Sequence, residues 1–244
     1  MSQFLIHDNP EINDSVTLSS EEAHHLRDVF RMREGDEVRL FNGSGTGYKG
    51  RIEILDRNCV SVKILEKWNC IPDAVCVDAA VALLPRDAML ETVQRVTEFG
   101  IRKLIPLKTD RSIVKKDPNY DQWKKTALAA CKQSGQLSMP EFDTPTSLKE
   151  LVQGFKAYNL VLFAHQDGEW IRNILESESV QNPENVLIII GPEGGFNDSE
   201  IQQIEKAGAC KTALGRYIFR SEVAAAFLSS VLSYRFGAIN ENRL

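Results

Sequence analysis

The hydrophobic period changes once along this chain, near Pro72-Asp73, and that change limits the folds open to it. Before it, Glu37-Val38-Arg39-Leu40-Phe41, Arg51-Ile52-Glu53-Ile54 and Val60-Ser61-Val62-Lys63-Ile64 alternate polar and apolar residues. Period-two alternation describes half-buried strands with one wet face. One helix interrupts them. Ser19 caps it with Glu22 three residues on, and it runs through His24, His25 and Leu26 to about Phe30. A small antiparallel barrel or sheet follows for residues 1–71. Beyond the boundary, residues 75–84, 101–107, 160–164, 186–190 and 212–214 read as strands, several of them unbroken apolar runs. Between them lie helical patterns over 87–99, 118 to about 134, 197–206 and 221 to about 236. Met89, Leu90, Val93, Val96 and Phe99 recur at helical spacing, and Gly100 can end that helix. Asn197 caps another, with Glu200 three residues on and Gly208 past its end. Such alternation predicts a mostly parallel sheet covered by helices on both faces, in a second domain spanning 72–244.

Several function classes are excluded early. The five cysteines have no C-x-x-C spacing and no histidine cluster beside them, so neither a metal site nor a disulfide framework is expected. The first residues, Met1-Ser2-Gln3-Phe4, are not a signal peptide, and no apolar run reaches membrane-spanning length. A soluble, cytoplasmic protein without membrane partners is expected. The formal net charge of -5 argues against a protein that holds nucleic acid by bulk positive charge. Locally, residues 86–132 carry 11 Lys/Arg against 6 Asp/Glu, which by itself describes a solvated helical face.

Gly45-Thr46-Gly47-Tyr48-Lys49-Gly50 matches G-x-G-x-x-G literally. A dinucleotide fingerprint needs a helix directly after it, and here Arg51-Ile52-Glu53-Ile54 alternates like a strand. A hairpin loop is the expectation.

Chemistry concentrates at two other places. The apolar run Val186-Leu187-Ile188-Ile189-Ile190 feeds into Gly191-Pro192-Glu193-Gly194-Gly195-Phe196. Ligands of open α/β sheets bind at strand carboxyl ends. Glycines there admit a ligand close to the backbone, and the amides of Gly194 and Gly195 can face it. An ordinary tight turn is the alternative, but it needs far less glycine. The second place is Leu214-Gly215-Arg216-Tyr217-Ile218-Phe219-Arg220-Ser221-Glu222, where a strand again ends at a glycine and a helix begins. Spacing alone reads Arg220 and Glu222 first as a buried ion pair, with a catalytic pair as the other reading.

Together these segments resemble the knotted, SPOUT-class methyltransferases, and among them the family that methylates N3 of a uridine in the decoding region of 16S ribosomal RNA. The resemblance covers nearly the whole chain. It includes His25 through Gly35, Leu40-Phe41-Asn42-Gly43, Thr97-Glu98-Phe99-Gly100-Ile101, Ile105-Pro106-Leu107, Trp123, Ala130-Cys131-Lys132-Gln133-Ser134, the glycine loop, Leu214-Gly215 and Phe219-Arg220-Ser221-Glu222. It implies a PUA-like β-barrel RNA-binding domain over 1–71, a trefoil-knotted α/β domain over 72–244, a homodimer, and S-adenosylmethionine as cofactor. By position, the implied cofactor residues are Leu162, Phe163, Ala164, Gly191, Pro192, Glu193, Gly194, Gly195, Leu214, Gly215, Ile218 and Phe219. The chain departs from the family at Gln3, at Lys132-Gln133-Ser134-Gly135-Gln136 where the family has Glu-Gln-Ser-x-Arg, at Tyr217 and at Val223.

Methyl transfer to uridine N3 needs alignment and loss of the N3 proton, and no metal. Glu222 is the candidate base, and Arg220 the candidate for stabilising charge on the uracil oxygens. The base must be unpaired or flipped out, and Tyr217 or Phe219 can stack on it or pack in the core. Arg31, Arg33, Arg86 and Arg111, with Lys115 and Lys116, are the candidate contacts to RNA of the small ribosomal subunit. The departures leave two other readings, a paralogue with a different RNA target and a non-catalytic ribosome-binding factor.

Overall fold

The computed structural model describes residues 3–56, 59–70, 75–114, 116–178 and 180–237. The predicted boundary at Pro72-Asp73 and the candidate contact Lys115 lie outside the described residues. The chain divides into two compact units. The first holds Met1–Ile71 and also Leu128–Met139; the second holds Pro72–Ala127 and Pro140–Leu244.

The first unit contains β1 (Gln3–Leu5), β2 (Ser15–Thr17), α1 (Ser20–His24), a π-helical turn (His25–Val29), β3 (Glu37–Phe41), β4 (Thr46–Leu55) and β5 (Val60–Asn69). Its sheet runs β1-β3-β4-β5-β2. All pairings are antiparallel except β1 with β3, which is parallel, so the all-antiparallel expectation fails at one edge. Ser19 caps α1 by accepting from the Glu22 amide at 3.3 Å. Alternate residues of the strands (Val38, Leu40, Tyr48, Ile52, Val62, Ile64) fill one core with Leu26 from the helical turn.

The glycine-rich segment is mostly strand rather than loop. β4 begins at Thr46, and Gly47 and Gly50 lie inside it. A Cβ on Gly47 would stand 2.5 Å from the Trp68 ring, and one on Gly50 2.3 Å from Val62 Cγ1. These glycines make room for cross-strand neighbours, which is why they imitate a nucleotide motif without serving one.

Residues 128–139, read from the sequence as part of the second domain, belong to the first for identifiable reasons. Gln3 is buried, and its Nε2 donates to Cys131 O at 3.1 Å and Gln136 O at 2.6 Å. Lys132 pairs with the buried Glu22. The Gly45 amide donates to Leu137 O and the Met139 amide to Gly43 O. Phe41, Cys131 and Leu137 form a small apolar cluster in which burial pushes the Cys131 thiol up to about 12, leaving it an inert core group.

The second unit contains β6 (Cys76–Ala82), α2 (Arg86–Glu98), β7 (Lys103–Lys108), α3 (Tyr120–Ser134, of which the first unit claims residues from Leu128), β8 (Glu141–Phe142), β9 (Thr146–Ser147), α4 (Leu148–Gln153), β10 (Leu160–Trp170), α5 (Ile171–Glu176), β11 (Asn185–Ile190), α6 (Asp198–Lys206), β12 (Cys210–Ala213) and α7 (Ser221–Phe236). The sheet order is β12-β10-β11-β6-β7-β8, with β9 also on β7, and every pairing among the described strands is parallel. Both faces are covered. Val186, Ile188 and Ile190 point into a core with α2, α5 and α7, while Leu187 and Ile189 point into one with α4 and α6. That is the physical content of the unbroken apolar run, since each of these five residues is at most 1% exposed. Among the described residues no helix is long and apolar enough to cross a membrane.

At the amino-terminal edge of this sheet, Asp78 is buried and fully engaged. Arg102 grips its two oxygens at 2.9 and 2.8 Å, and Tyr158 Oη donates to it at 2.8 Å. Arg102 also donates to Asn185 Oδ1 at 3.1 Å. The carboxylate raises the Arg102 pKa, and burial beside Asp78 raises that of Tyr158. Asp78→Ala should cost about 1–3 kcal/mol, discounted because Arg102 is half exposed. A fall in the urea midpoint at unchanged slope would show it, and Asp78→Asn should lose less. An Asp78→Ala variant as stable as the parent would remove the network as a stabilising element.

Candidate functional site

Parallel pairing sets β12, β10 and β11 side by side, so their carboxyl ends open onto one edge. Phe163 pairs with Ile189 and Ala164 with Thr212, which brings residues 162–164 level with the start of the glycine loop. Leu162 and Phe163 are fully buried and Ala164 half-buried.

After Ile190 the chain enters Gly191-Pro192-Glu193-Gly194-Gly195-Phe196. Phe196 is the loop's anchor: it is buried, meets the Phe163 ring edge-on at 6.5 Å, and lies where a Cβ on Gly191 would come within 3.0 Å of its ring. Gly195 has φ +65°, a conformation glycine adopts without strain. Among the described residues a Cβ there would meet nothing within 4 Å, and one on Gly194 would meet only Arg111. The loop therefore borders open space. Of the two amides expected to face a ligand, that of Gly195 is already taken, donating to Pro192 O at 2.8 Å. Asn197 and Glu200 then form the expected capping box of α6.

The second motif converges on the first. Ser221 Oγ donates to Gly191 O at 2.7 Å, tying the first turn of α7 to the glycine loop. Gly215 has only Phe219 Cζ near its would-be Cβ, at 3.9 Å. Phe219 stacks obliquely on Phe227 and packs against the core, so of its two expected roles it takes the packing one. Tyr217 and Ile218 are 70% and 80% exposed.

Arg220 and Glu222 form no ion pair among the described residues. Positions two apart on a helix start do not face one another, and the two diverge accordingly: Arg220 is exposed and Glu222 buried. Glu222 Oε2 is enclosed and has no hydrogen-bond partner among the described residues. An unpaired buried acceptor costs about 1–3 kcal/mol. It sits in the first turn of a 16-residue helix, where the helix dipole favours negative charge.

Other features had no clear sequence signal. β10 does not end at Ala164. Residues 165–168 bulge out, and Glu169 returns to the same partner, Thr212. Gly168 permits this, since a Cβ there would strike the Lys211-Thr212 backbone at 2.5 Å. Within the bulge, burial and then Lys211 lower the His165 pKa, and its Nδ1 accepts from the Asp167 amide at 3.2 Å. Arg111, singled out for RNA, is placed against the glycine loop: its Nη1 donates to Gly194 O at 2.9 Å and Phe196 O at 3.4 Å. Arg86 starts α2, exposed, and donates to Gln122. In the first unit Arg31 and Arg33 are exposed, Arg31 with φ +53°. Among the described residues no group of His, Cys, Asp or Glu could hold a metal ion.

Comparison with known proteins adds to this geometry. The family model described as an RNA methyltransferase domain matches residues 72–233, and one described as an RNA methyltransferase PUA domain matches residues 18–65. A Rickettsia conorii protein named ribosomal RNA small subunit methyltransferase E is 29% identical over 215 residues, 87% of each chain. A Bacillus subtilis protein of the same name is 27% identical over 232 residues, 91% of this chain and 90% of that one. Among solved structures, a Legionella pneumophila protein assigned as a methyltransferase, with the cofactor SAM bound, is 30% identical with TM-score 0.84, covering 97% of this chain and 98% of its own. A Neisseria gonorrhoeae structure, at 22% identity and TM-score 0.87, shares the fold over 98% of this chain and 100% of its own.

Gly191→Ala should displace the Phe196 ring and cost about 1–3 kcal/mol, the usual range for overpacking. Thermal unfolding measures it. A melt identical to the parent's would mean that the ring is not held against Gly191.

Proposed function

The chain belongs to the RNA methyltransferase family, and on that footing we propose that it transfers a methyl group from S-adenosylmethionine to N3 of a uridine in 16S ribosomal RNA. The observation that carries the reading is the joining of two glycine-bearing strand ends by Ser221 and Gly191 beside an unpaired buried carboxylate oxygen. The rRNA substrate is supported by the names of the Rickettsia and Bacillus relatives, and the cofactor by the Legionella structure.

The unit of residues 1–71 with 128–139 is proposed as the PUA-like, RNA-binding domain, and that of 72–127 with 140–244 as the SPOUT domain with its trefoil knot. A cytoplasmic homodimer fits a ribosomal substrate. Val223 and Tyr234, large apolar side chains left exposed on α7, are surface that a second copy can cover.

The chain's residues fit the cofactor. Among the described residues no atom stands within 4 Å of where a Cβ on Gly195 would be, and such an atom on Gly194 or Gly215 would meet only the side chain of Arg111 or Phe219, so the backbone at these three positions is open to a ligand. Leu162, Phe163, Ala164, Gly191, Pro192, Glu193, Gly194, Gly195, Leu214, Gly215, Ile218 and Phe219 would hold it. When bound, S-adenosylmethionine supplies an electrophilic methyl group on a sulfonium. The chain then has three tasks. The loops fix the direction of approach, which is a matter of orientation. Glu222 Oε2, having no donor among the described residues, accepts the N3 proton. Arg220, exposed at the helix start, stabilises charge on the uracil oxygens. Tyr217, exposed where Phe219 is not, is left to stack on the displaced base. Arg31, Arg33 and Arg86, with the outer edge of Arg111, contact RNA phosphates.

Of the departures from the family, Gln3 is absorbed internally by the carbonyls of Cys131 and Gln136, so it does not argue for a loss of turnover.

Calorimetry should show one S-adenosylmethionine site per subunit; a protein that binds none is not this enzyme. Small subunits, free 16S RNA and tRNA incubated with labelled cofactor should show label only in the ribosomal substrates, at a uridine N3 by mass spectrometry. Glu222→Ala should keep cofactor binding and lose about 10²–10⁴-fold in turnover, and an active variant would remove Glu222 as the proton acceptor.

A further inference from the structure

A loop rich in glycine is conformationally loose, and something must hold it in the shape that meets a ligand. Here two of its peptide planes are held at both ends. The Gly194–Gly195 peptide donates through Gly195 N–H to Pro192 O at 2.8 Å, and accepts through Gly194 O from Arg111 at 2.9 Å. The Phe196–Asn197 peptide donates through Asn197 N–H to Glu200 Oε2 at 2.9 Å, and accepts through Phe196 O from the same Arg111 nitrogen at 3.4 Å. A peptide unit is planar, so fixing its carbonyl and its N–H fixes the plane.

Arg111 comes from the segment after β7, which is not a neighbour of β11 in the sheet; β6 lies between them. The segment reaches the loop across the end of β6 and is fastened there. The Asp110 amide donates to Glu200 Oε1 at 2.9 Å, and Asn197 Nδ2 donates to Asp110 Oδ2 at 2.6 Å. Thr109 and Ser112 join through their hydroxyls at 2.7 Å, closing the segment on itself. Glu200, buried, thus accepts one amide from each segment with its two oxygens.

We propose that Arg111 is a positioning residue for the cofactor site, acting through the carbonyls of Gly194 and Phe196. The inference rests on the reading of the glycine loop as the cofactor loop. It differs from a role confined to RNA phosphates, which would leave the cofactor untouched.

The test compares the parent with Arg111→Met, which keeps an unbranched apolar stem and removes the donors, and with Arg111→Lys, which restores one donor nitrogen. The Met variant should raise the KM for S-adenosylmethionine about tenfold, the effect of losing a hydrogen bond to a charged group, with kcat within about twofold. Lys should recover part of it. Hydrogen exchange of the peptide spanning residues 191–197, measured without any ligand, should be faster in the Met variant while the global melt stays near the parent's. Unchanged exchange overturns the proposal. So does a variant in which only RNA affinity and its salt dependence move, or one in which the melt collapses and the Lys variant recovers nothing. If the parent binds no S-adenosylmethionine, the cofactor reading fails, and the exchange experiment still decides whether Arg111 orders the loop.

Discussion

A parallel strand pair cannot be closed by a tight turn; each strand needs a crossover, and successive strand ends therefore emerge on the same edge. In the larger sheet every described pairing is parallel, so β10, β11 and β12 deliver three segments to one place without any device to steer them. The apolar continuity of residues 186–190 is the other side of this constraint. A strand flanked by parallel neighbours and covered on both faces has no wet side, and its residues alternate between two cores. What remains for the site is local: glycines where the chain must pass close, and a few side chains that fasten one segment to the next.

The sheet's two edges treat polar groups in opposite ways. At the amino edge Asp78 is saturated by Arg102 and Tyr158. At the carboxyl edge Glu222 keeps an enclosed oxygen without a partner. Folding selects for satisfied groups, and the enclosed side-chain oxygens without a partner among the described residues are this one and Glu22 Oε2 in the first unit.

How much of this was readable beforehand depended on the range of the interaction. Periodicity located the long helices of the second unit, and its long strands other than β10, within a few residues, because burial on both faces and helical spacing are written locally. The capping box at Asn197 and Glu200 was readable for the same reason. The short β8, β9, α4 and α5 carry too few residues to show a period. The bulge in β10 depends on what Gly168 meets across the sheet, and the glycines of β4 on Trp68 and Val62. At the site, the glycine loop and the start of α7 were legible as separate motifs, but their junction through Ser221 was not, nor was the grip of Arg111 on residues 83 and 85 positions away. The expected ion pair of Arg220 with Glu222 failed on helix geometry, which sequence proximity conceals.

The discontinuity of the first unit has a consequence for how the protein is made. Gln3 finds its acceptors 128 and 133 residues later, and the cluster around Phe41 is completed only by residues up to Met139. A chain synthesised from its amino end has all five strands of the first sheet in hand by residue 69, yet cannot close that unit until the segment following Ala127 has emerged. During that interval the Gln3 side chain lacks both its acceptors, and Phe41 lacks Cys131 and Leu137. The amino-terminal unit, first in sequence, therefore finishes only after residues 72–127 of the second have been translated, and a gene cut at residue 71 would sever a module rather than separate two.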